Sequence, residues 1–208
     1  MTRSPSRSTR HLLRRFNPGY GTGPGQIDPL TSAAAFVGTP AIADIDDDGD
    51  AEIVITSWNG HVQVVNHDGT LADGWPVRLP EVPSCATDGS APTTPCMSQE
   101  QRIDRGAFAA PALIDMDQDG ALDIVQPGFD GNIHVFHADG SAVDGWPVTV
   151  HYRGHTFPSG TTIAEPPTGR IVTTAAVADF NGDGYPEVLT GSNEKLGAGN
   201  GSGGLYLV

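Results

Sequence analysis

Three short acidic segments carry the residues of this chain whose types and spacing best suit chemistry. Each has an oxygen-bearing side chain at positions one, three, five and nine and a glycine at position six. Oxygen ligands at alternate positions of a tightly curled loop converge on one hard cation, and the glycine gives the backbone the freedom to curl. The pattern therefore predicts up to three Ca²⁺ sites. The predicted side-chain ligands are Asp44, Asp46, Asp48 and Glu52; Asp115, Asp117, Asp119 and Asp123; and Asp179, Asn181, Asp183 and Glu187.

Position seven of the three segments is chemically varied, being Asp50, Ala121 or Tyr185. This variation fits a ligand that the backbone carbonyl supplies, so these residues are also candidate ligands. Carboxylates crowded into nine residues repel one another, and a divalent cation removes that cost. The alternative is an acidic turn held by side-chain-to-backbone hydrogen bonds without a metal, and it stays open at this point.

The segments following these loops distinguish them from EF-hands. An EF-hand needs a bidentate Glu at position twelve and a helix on either side of the loop. Position twelve here is Ile55, Gln126 or Thr190, and the residues after each loop are apolar and rich in β-branched side chains. The sequence therefore places the acidic loops between β-strands.

The loops belong to a longer repeat, because residues 40–77 align without a gap onto residues 111–148. One structural unit used twice explains this match. The unit predicts four strands, over about 40–43, 53–57, 61–66 and 75–79, with type I′ turns at Asn59-Gly60 and Asp130-Gly131. A third copy begins near Thr174 and stops before a fourth strand.

Short four-stranded repeats with Asp-x-Asp-x-Asp-Gly-x-x-Asp/Glu after the first strand resemble the FG-GAP repeats of integrin-α-like β-propellers and the related bacterial VCBS repeats. The resemblance covers about residues 40–208 and implies an all-β chain of propeller blades, each a four-stranded antiparallel meander with one calcium per acidic loop. We expect about three repeats, at 36–79, 107–150 and 171–208. Propellers close with 4–8 blades, so an incomplete propeller is expected, whose partners are the remaining blades of a longer parent chain.

Charge bounds the class of partner. The formal net charge is −14, yet five arginines and no acidic residue fall within the first sixteen positions. We expect residues 1–29 to be a disordered basic tail and linker, and residues 30–208 to form the propeller segment. The acidic propeller segment is expected to repel nucleic acid and anionic membranes. No run of apolar residues is long enough to span a membrane.

Two cysteines, Cys85 and Cys96, bracket an insertion between the first two units. Their closeness in one loop, without a metal-ligand spacing, predicts a local disulfide, with free thiols as the alternative. A disulfide and calcium loops of modest affinity both suit an extracellular, cell-surface or periplasmic location.

Aromatic and histidine residues give weaker signals. Trp75 and Trp146 occupy the same place in two units, which favours packing between blades over stacking on sugars. His134 and His137 are predicted to lie on opposite faces of a strand, which argues against joint metal ligation. No catalytic constellation emerges from the sequence.

The sequence thus predicts a calcium-binding β-propeller module of a secreted or surface protein. It would serve as a scaffold, in cell adhesion, or as a domain that binds a protein or glycan ligand. The alternative is a part of a carbohydrate-active enzyme such as a polysaccharide lyase, with its site in residues 78–106 or 151–170. Enzyme activity is left open, with the binding module favoured.

Overall fold

The computed structural model describes residues 36, 38–58, 60–80, 106–150, 171–194 and 202–208, and these contain β-strands and no helix. The predicted basic tail, the cysteine pair Cys85 and Cys96, the candidate enzyme loop at 151–170 and residues 81–105 of the candidate enzyme loop at 78–106 lie outside the described residues. None of the described residues forms a helix long and apolar enough to cross a membrane.

The first two sheets are antiparallel meanders of four strands each, in the order in which the strands occur along the chain. They share one register: Ala41 pairs with Val54 in sheet 1, and Ala112 pairs with Val125 in sheet 2. The predicted repeat and its four-stranded unit are confirmed. The strands are β1 (Ala41–Ala43), β2 (Glu52–Thr56), β3 (His61–Val65) and β4 (Val77–Arg78) in sheet 1, and β5 (Ala112–Ile114), β6 (Asp123–Pro127), β7 (Asn132–Phe136) and β8 (Val148–Thr149) in sheet 2.

Sheet 3 has three strands among the described residues, β9 (Ala176–Ala178), β10 (Glu187–Glu194) and β11 (Ser202–Leu207), in the order β11-β10-β9. The described part of this copy thus has the three strands that the sequence predicts for it. Within the part of the chain that the structure describes, the architecture is all-β, with three blade-type sheets that do not close into a ring.

The prediction of a type I′ turn at Asp130-Gly131 is wrong. Gly131 has φ of +84°, but Asp130 is not among the residues with positive φ, and the N–H of Gly131 donates to the carbonyl of Gly128 at 3.1 Å. The turn is of the type I kind with a left-handed glycine after it, which is the usual three-residue hairpin solution. The carboxylate of Asp130 favours this geometry, since its Oδ1 accepts the N–H of Asn132 at 3.2 Å.

Alternation along the strands gives every sheet a front face and a back face. The back face of sheet 1 packs on the front face of sheet 2, and the back face of sheet 2 packs on the front face of sheet 3. The first contact buries Val54, Val62 and Val64 against Ile124 and Phe136. The second buries Val125, Ile133 and Val135 against Val188. Consecutive sheets therefore stack in one direction, as blades do.

The repeated tryptophans lie at these contacts, as the sequence predicts. Trp75 is buried, its Nε1 donates to the carbonyl of Ala138 in sheet 2 at 2.6 Å, and its ring meets Phe136 edge to face. Trp146 packs against the second cluster. Both Trp–Pro peptide bonds are cis. These side chains thus join neighbouring sheets.

Candidate metal centres

Each acidic segment connects the first two strands of its sheet, so the strand pairing fixes its two ends. We name the segments loop 1 (44–52), loop 2 (115–123) and loop 3 (179–187). Position nine is the first residue of the second strand and pairs with the last residue of the first strand. The pairs are Ala43 with Glu52, Ile114 with Asp123, and Ala178 with Glu187.

One internal hydrogen-bond frame recurs in all three loops. The position-six glycine, whose φ is +94°, +98° or +96°, donates its N–H to Oδ2 of position one. The position-seven N–H donates to Oδ1 of position five, and a carboxylate oxygen of position nine accepts the N–H of position two. In loops 1, 2 and 3 respectively, the bond from the position-six N–H measures 3.0, 3.0 and 2.9 Å. The bond from the position-seven N–H measures 2.8, 2.8 and 2.9 Å, and the bond from the position-two N–H measures 2.9, 2.8 and 2.7 Å.

This frame curls each loop so that carboxylates converge. In each of three groups, one ligand oxygen per residue lies within 4.8 Å of the others; the groups are Asp44, Asp46 and Asp48; Asp115, Asp117 and Asp123; and Asp179, Asp183 and Glu187. Most of the predicted side-chain ligands are thus brought together. Whether they bind a metal stays a prediction.

In loop 1 the clustered carboxylates are largely exposed to solvent, whereas the carboxylate at position nine is buried. Asp46 and Asp48 are exposed, whereas Glu52 is buried and accepts the N–H of Ile45. Glu52 does not join the group of three, although the sequence predicts it as a ligand. Position seven, Asp50, directs its carboxylate to the exposed ring of His67, with Oδ2 and Nδ1 3.5 Å apart.

Loop 2 is the most buried of the three at its closing residue. Asp123 is fully buried, and its Oδ1 lies 3.0 Å from Nδ1 of His137. Burial raises the pKa of the Asp123 carboxyl above its ordinary value, against the opposing influence of the Met116 N–H. His137 also brings a ring nitrogen within 4.8 Å of carboxylate oxygens of Asp117 and Asp119. This cluster therefore combines oxygen atoms with a nitrogen atom.

His137 is a residue that sequence reasoning missed. The sequence predicts only that it does not share a metal with His134, and the two are indeed separated: Nε2 of His134 lies 3.0 Å from Oδ2 of Asp130 instead. The β6–β7 register, which pairs Ile124 with Phe136, places the preceding residue Asp123 opposite the following residue His137. A correct hairpin register read from the sequence would have found this contact.

Loop 3 contains an amide among its acids. Oδ1 of Asn181 accepts the N–H of Asp183 at 2.8 Å, and its Nδ2 donates to Asp183 Oδ2 at 3.0 Å and to Glu187. The amide nitrogen thus bridges the second carboxylate oxygens of Asp183 and Glu187, Oδ2 and Oε1, whose first oxygens accept backbone N–H groups. Gln118 of loop 2 donates to the carbonyl of Gly184, so loops 2 and 3 touch.

One atom tests whether a cation fits these loops. Oδ1 of Asp115 is buried and has no hydrogen-bond partner. A buried carboxylate oxygen without a partner is costly, and Asp117 and Asp123 add negative charge around it instead of a donor. Carboxylate oxygens in this number are what Ca²⁺ prefers. The residues of loop 2 therefore fit a bound divalent cation.

The fold and the loops define a β-propeller type of repeat module. Residues 115–190 match the family model described as an FG-GAP-like repeat, so this part of the chain is similar to FG-GAP repeats. A search of curated proteins found no match.

Solved structures similar to the chain include two crystal structures of one complex. The crystal structure of BBS1N in complex with ARL6DN, soaked with mercury, matches with a TM-score of 0.45 and 12% identity, over 80% of this chain and 41% of that chain. The lead-soaked crystal structure of the complex matches with a TM-score of 0.34 and 12% identity, over 84% of this chain and 50% of that one. This chain thus spans half or less of the length of those chains.

Proposed function

We propose that this chain is a calcium-stabilised propeller module of a secreted or surface protein, acting as a scaffold or as an adhesion or ligand-binding domain. The observation that carries the calcium role is the buried, unpaired Oδ1 of Asp115 beside two further carboxylates. Asp115, Asp117 and Asp123 would hold the ion in loop 2; the groups at Asp44 and Asp179 would do so in the other loops. Bound calcium supplies positive charge and oxygen coordination there.

The role follows from where the loops sit. Each loop joins the last residue of one strand to the first residue of its neighbour, so neutralising its carboxylates fixes the first strand pair of the sheet. The back faces of sheets 1 and 2 then pack on the next sheet. Calcium would thereby stabilise the stacking of sheets without taking part in a reaction.

The proposed location follows from the same site. Exposed loops with three clustered side-chain ligands suit modest affinity, and modest sites fill only where the ion is abundant, as outside the cytoplasm. The ligand class is a protein or a glycan, because the net charge of −14 disfavours polyanions.

Thermal melting of the full chain in EDTA, in excess Ca²⁺ and in excess Mg²⁺ tests the calcium role. A ligand present at 100 times its Kd stabilises by about 2.7 kcal/mol, which corresponds to an increase in Tm on the order of 5–10 °C at this chain length. We expect that increase with Ca²⁺ and a smaller one with Mg²⁺, which demands a stricter octahedral site. Identical melting curves in all three buffers would refute the structural role of calcium.

A further inference from the structure

His137 follows directly after β7 and brings an imidazole ring to loop 2. One of its ring nitrogens and one carboxylate oxygen each from Asp117 and Asp119 lie within 4.8 Å of one another. In loops 1 and 3, the corresponding groups contain carboxylates only. Loop 2 therefore differs from the other two loops in the kinds of atom that it offers to a metal ion.

A buried carboxylate outside this group of three holds the imidazole. Nδ1 of His137 lies 3.0 Å from Oδ1 of Asp123, whose side chain is 1% exposed, and Oδ2 of Asp123 accepts the N–H of Met116 at 2.8 Å. The side chain of His137 is 31% exposed. Histidines that bind metals commonly donate one ring N–H to a carboxylate and coordinate through the other ring nitrogen. The contact with Asp123 is of this kind and leaves Nε2 for a metal.

The first repeat shows that the fold does not require this imidazole. The gap-free alignment of the two repeats places Asn66 where the second repeat has His137. The backbone is the same at both positions, since the N–H of Asn66 donates to the carbonyl of Thr70 and that of His137 to the carbonyl of Ser141, each at 2.9 Å. Nδ2 of Asn66 donates to Oγ1 of Thr70 at 3.1 Å, within its own turn. The imidazole at loop 2 is therefore a property of the side chain and not of the hairpin.

The two aspartates of the group have oxygens left for a metal. Oδ1 of Asp117 accepts the N–H of Asp119 at 3.2 Å, and Oδ1 of Asp119 accepts the N–H of Ala121 at 2.8 Å. These bonds fix the two side chains in the loop and leave Oδ2 of each as a ligand atom. Both residues are exposed, so an ion reaches them from solvent.

Nitrogen and oxygen donors together suit a different ion from the one that carboxylates alone suit. Ca²⁺ and Mg²⁺ take oxygen ligands. Imidazole nitrogen is a preferred ligand of Zn²⁺ and related transition-metal ions, which also accept carboxylate oxygen. The presence of His137 beside Asp117 and Asp119 therefore favours an ion of the second kind.

We propose that Asp117, Asp119 and His137 form a binding site for a divalent transition-metal ion of the Zn²⁺ type. Nε2 of His137 and one oxygen from each aspartate coordinate the ion, and Asp123 orients the imidazole. Three protein ligands leave a fourth tetrahedral position for water. The site needs the conformation of loop 2 and does not rest on the calcium proposal. Asp117 also belongs to the carboxylate group of loop 2, so Ca²⁺ bound there would share a ligand with this ion.

Titration of the full chain with Zn²⁺ in a buffer without Ca²⁺ tests the site, with NMR of the histidine rings and calorimetry as readouts. The chain has seven histidines and two cysteines, so the signal of one ring is more decisive than total binding. We expect the ring signals of His137, identified by their loss in the His137→Asn variant, to shift until one equivalent of Zn²⁺ has been added. Excess Ca²⁺ should weaken this binding because the two ions share Asp117.

Two variants and a matched control locate the ligands. His137→Asn copies the first repeat and should weaken Zn²⁺ binding at least about tenfold, the lower end of what loss of a metal ligand's partner costs. Asp119→Asn keeps an oxygen that accepts the N–H of Ala121, so the loop retains its conformation, and it should weaken Zn²⁺ binding to a similar extent. His67→Asn removes an exposed histidine beside loop 1, where its Nδ1 lies 3.5 Å from Oδ2 of Asp50, and should bind Zn²⁺ as the wild type does.

The outcomes separate this proposal from the calcium role. Ring signals of His137 that do not respond to Zn²⁺, or Asp119→Asn binding as tightly as the wild type, would overturn it. These two readouts decide the matter even if H137N fails to fold. A chain whose His137 ignores Zn²⁺ while its Tm rises with Ca²⁺ would reject the transition-metal site alone, and a Tm that also ignores Ca²⁺ would reject both.

Discussion

Loops 2 and 3 share one backbone frame and treat their first carboxylate differently. In loop 3, Oδ1 of Asp179 accepts the N–H of Asp183 at 3.2 Å and that of Gly182 at 2.6 Å. In loop 2, the equivalent Oδ1 of Asp115 accepts nothing and is buried. The same loop conformation can thus pair both oxygens of its first aspartate with backbone N–H groups, as in loop 3, or leave one oxygen unpaired, as in loop 2. A bound cation would pair with that oxygen.

Position three of the two loops also differs in whether it supplies a hydrogen-bond donor. Loop 3 has Asn181, whose amide donates to Asp183 and Glu187, where loop 2 has the carboxylate of Asp117. Loop 3 therefore has one carboxylate fewer than loop 2 and an amide donor in its place. We expect loop 2 to depend more strongly on a divalent cation than loop 3.

The largest expected effect on stability is the difference between the position-nine residues of loops 2 and 3, Asp123 and Glu187. Asp123→Ala removes a fully buried carboxylate and leaves the N–H of Met116 and the ring of His137 unpaired, which should cost about 3 kcal/mol of unfolding free energy. Glu187→Ala, at a half-buried residue, should cost about 1 kcal/mol. Urea denaturation in EDTA measures both. Equal losses would contradict the distinction between the loops.

The first carboxylate gives the next largest effect. Asp115→Asn neutralises the unpaired oxygen and should remove about 2 kcal/mol of the stabilisation that Ca²⁺ provides, with one ion fewer bound per chain. Asp179→Asn should remove less. Calorimetric titration with Ca²⁺ measures the stoichiometry. If both variants bind as many ions as the wild type, neither aspartate is a ligand.

Converting loop 3 toward loop 2 should have a moderate effect. Asn181→Asp replaces an amide donor by a fourth carboxylate in loop 3, so the chain in EDTA should lose about 1 kcal/mol, while Ca²⁺ affinity at loop 3 should rise about tenfold. Asn181→Ala is the matched control, because it removes the amide without adding charge. If N181D binds Ca²⁺ no more tightly than N181A, charge is not the reason for the difference between the loops.

The smallest effect concerns a turn beside loop 2. Hydrogen bonds from the Ser141 hydroxyl and N–H hold the pKa of the Asp139 carboxyl below its ordinary value. A lowered folded-state pKa contributes stability above the unfolded-state value of about 3.8, and this is lost as the pH falls through the folded-state value. Ser141→Ala should raise the pKa toward normal, as an NMR titration would show, with little change in Tm. An unchanged pKa would mean that the backbone N–H alone lowers it.

The sequence predicts the fold well because its signals are local. The spacing of the loops, the glycines and the Gly-Trp-Pro-Val segments recurs with the period of the sheet, and the observed strands of sheets 1 and 2 lie within two residues of the predicted ones. Trp75 is placed correctly for the same reason, since a repeated large aromatic residue favours a repeated contact.

The details that distinguish the loops could not be predicted in the same way. The unpaired Oδ1 of Asp115 and the direction of the Asn181 amide depend on how each loop places its hydrogen-bond donors in three dimensions, which residue type does not encode. The contact of His137 with Asp123 depends on hairpin register, and the turn type predicted for that hairpin is wrong.

The most direct test is an anomalous difference map from crystals of the full chain grown with Ca²⁺. We predict a peak inside loop 2, with an oxygen of Asp115 at the 2.3–2.6 Å typical of calcium ligands, and weaker or equal peaks in loops 1 and 3. A map without a peak in loop 2, with Oδ1 of Asp115 bonded to a protein N–H group or a water molecule, would contradict the calcium role.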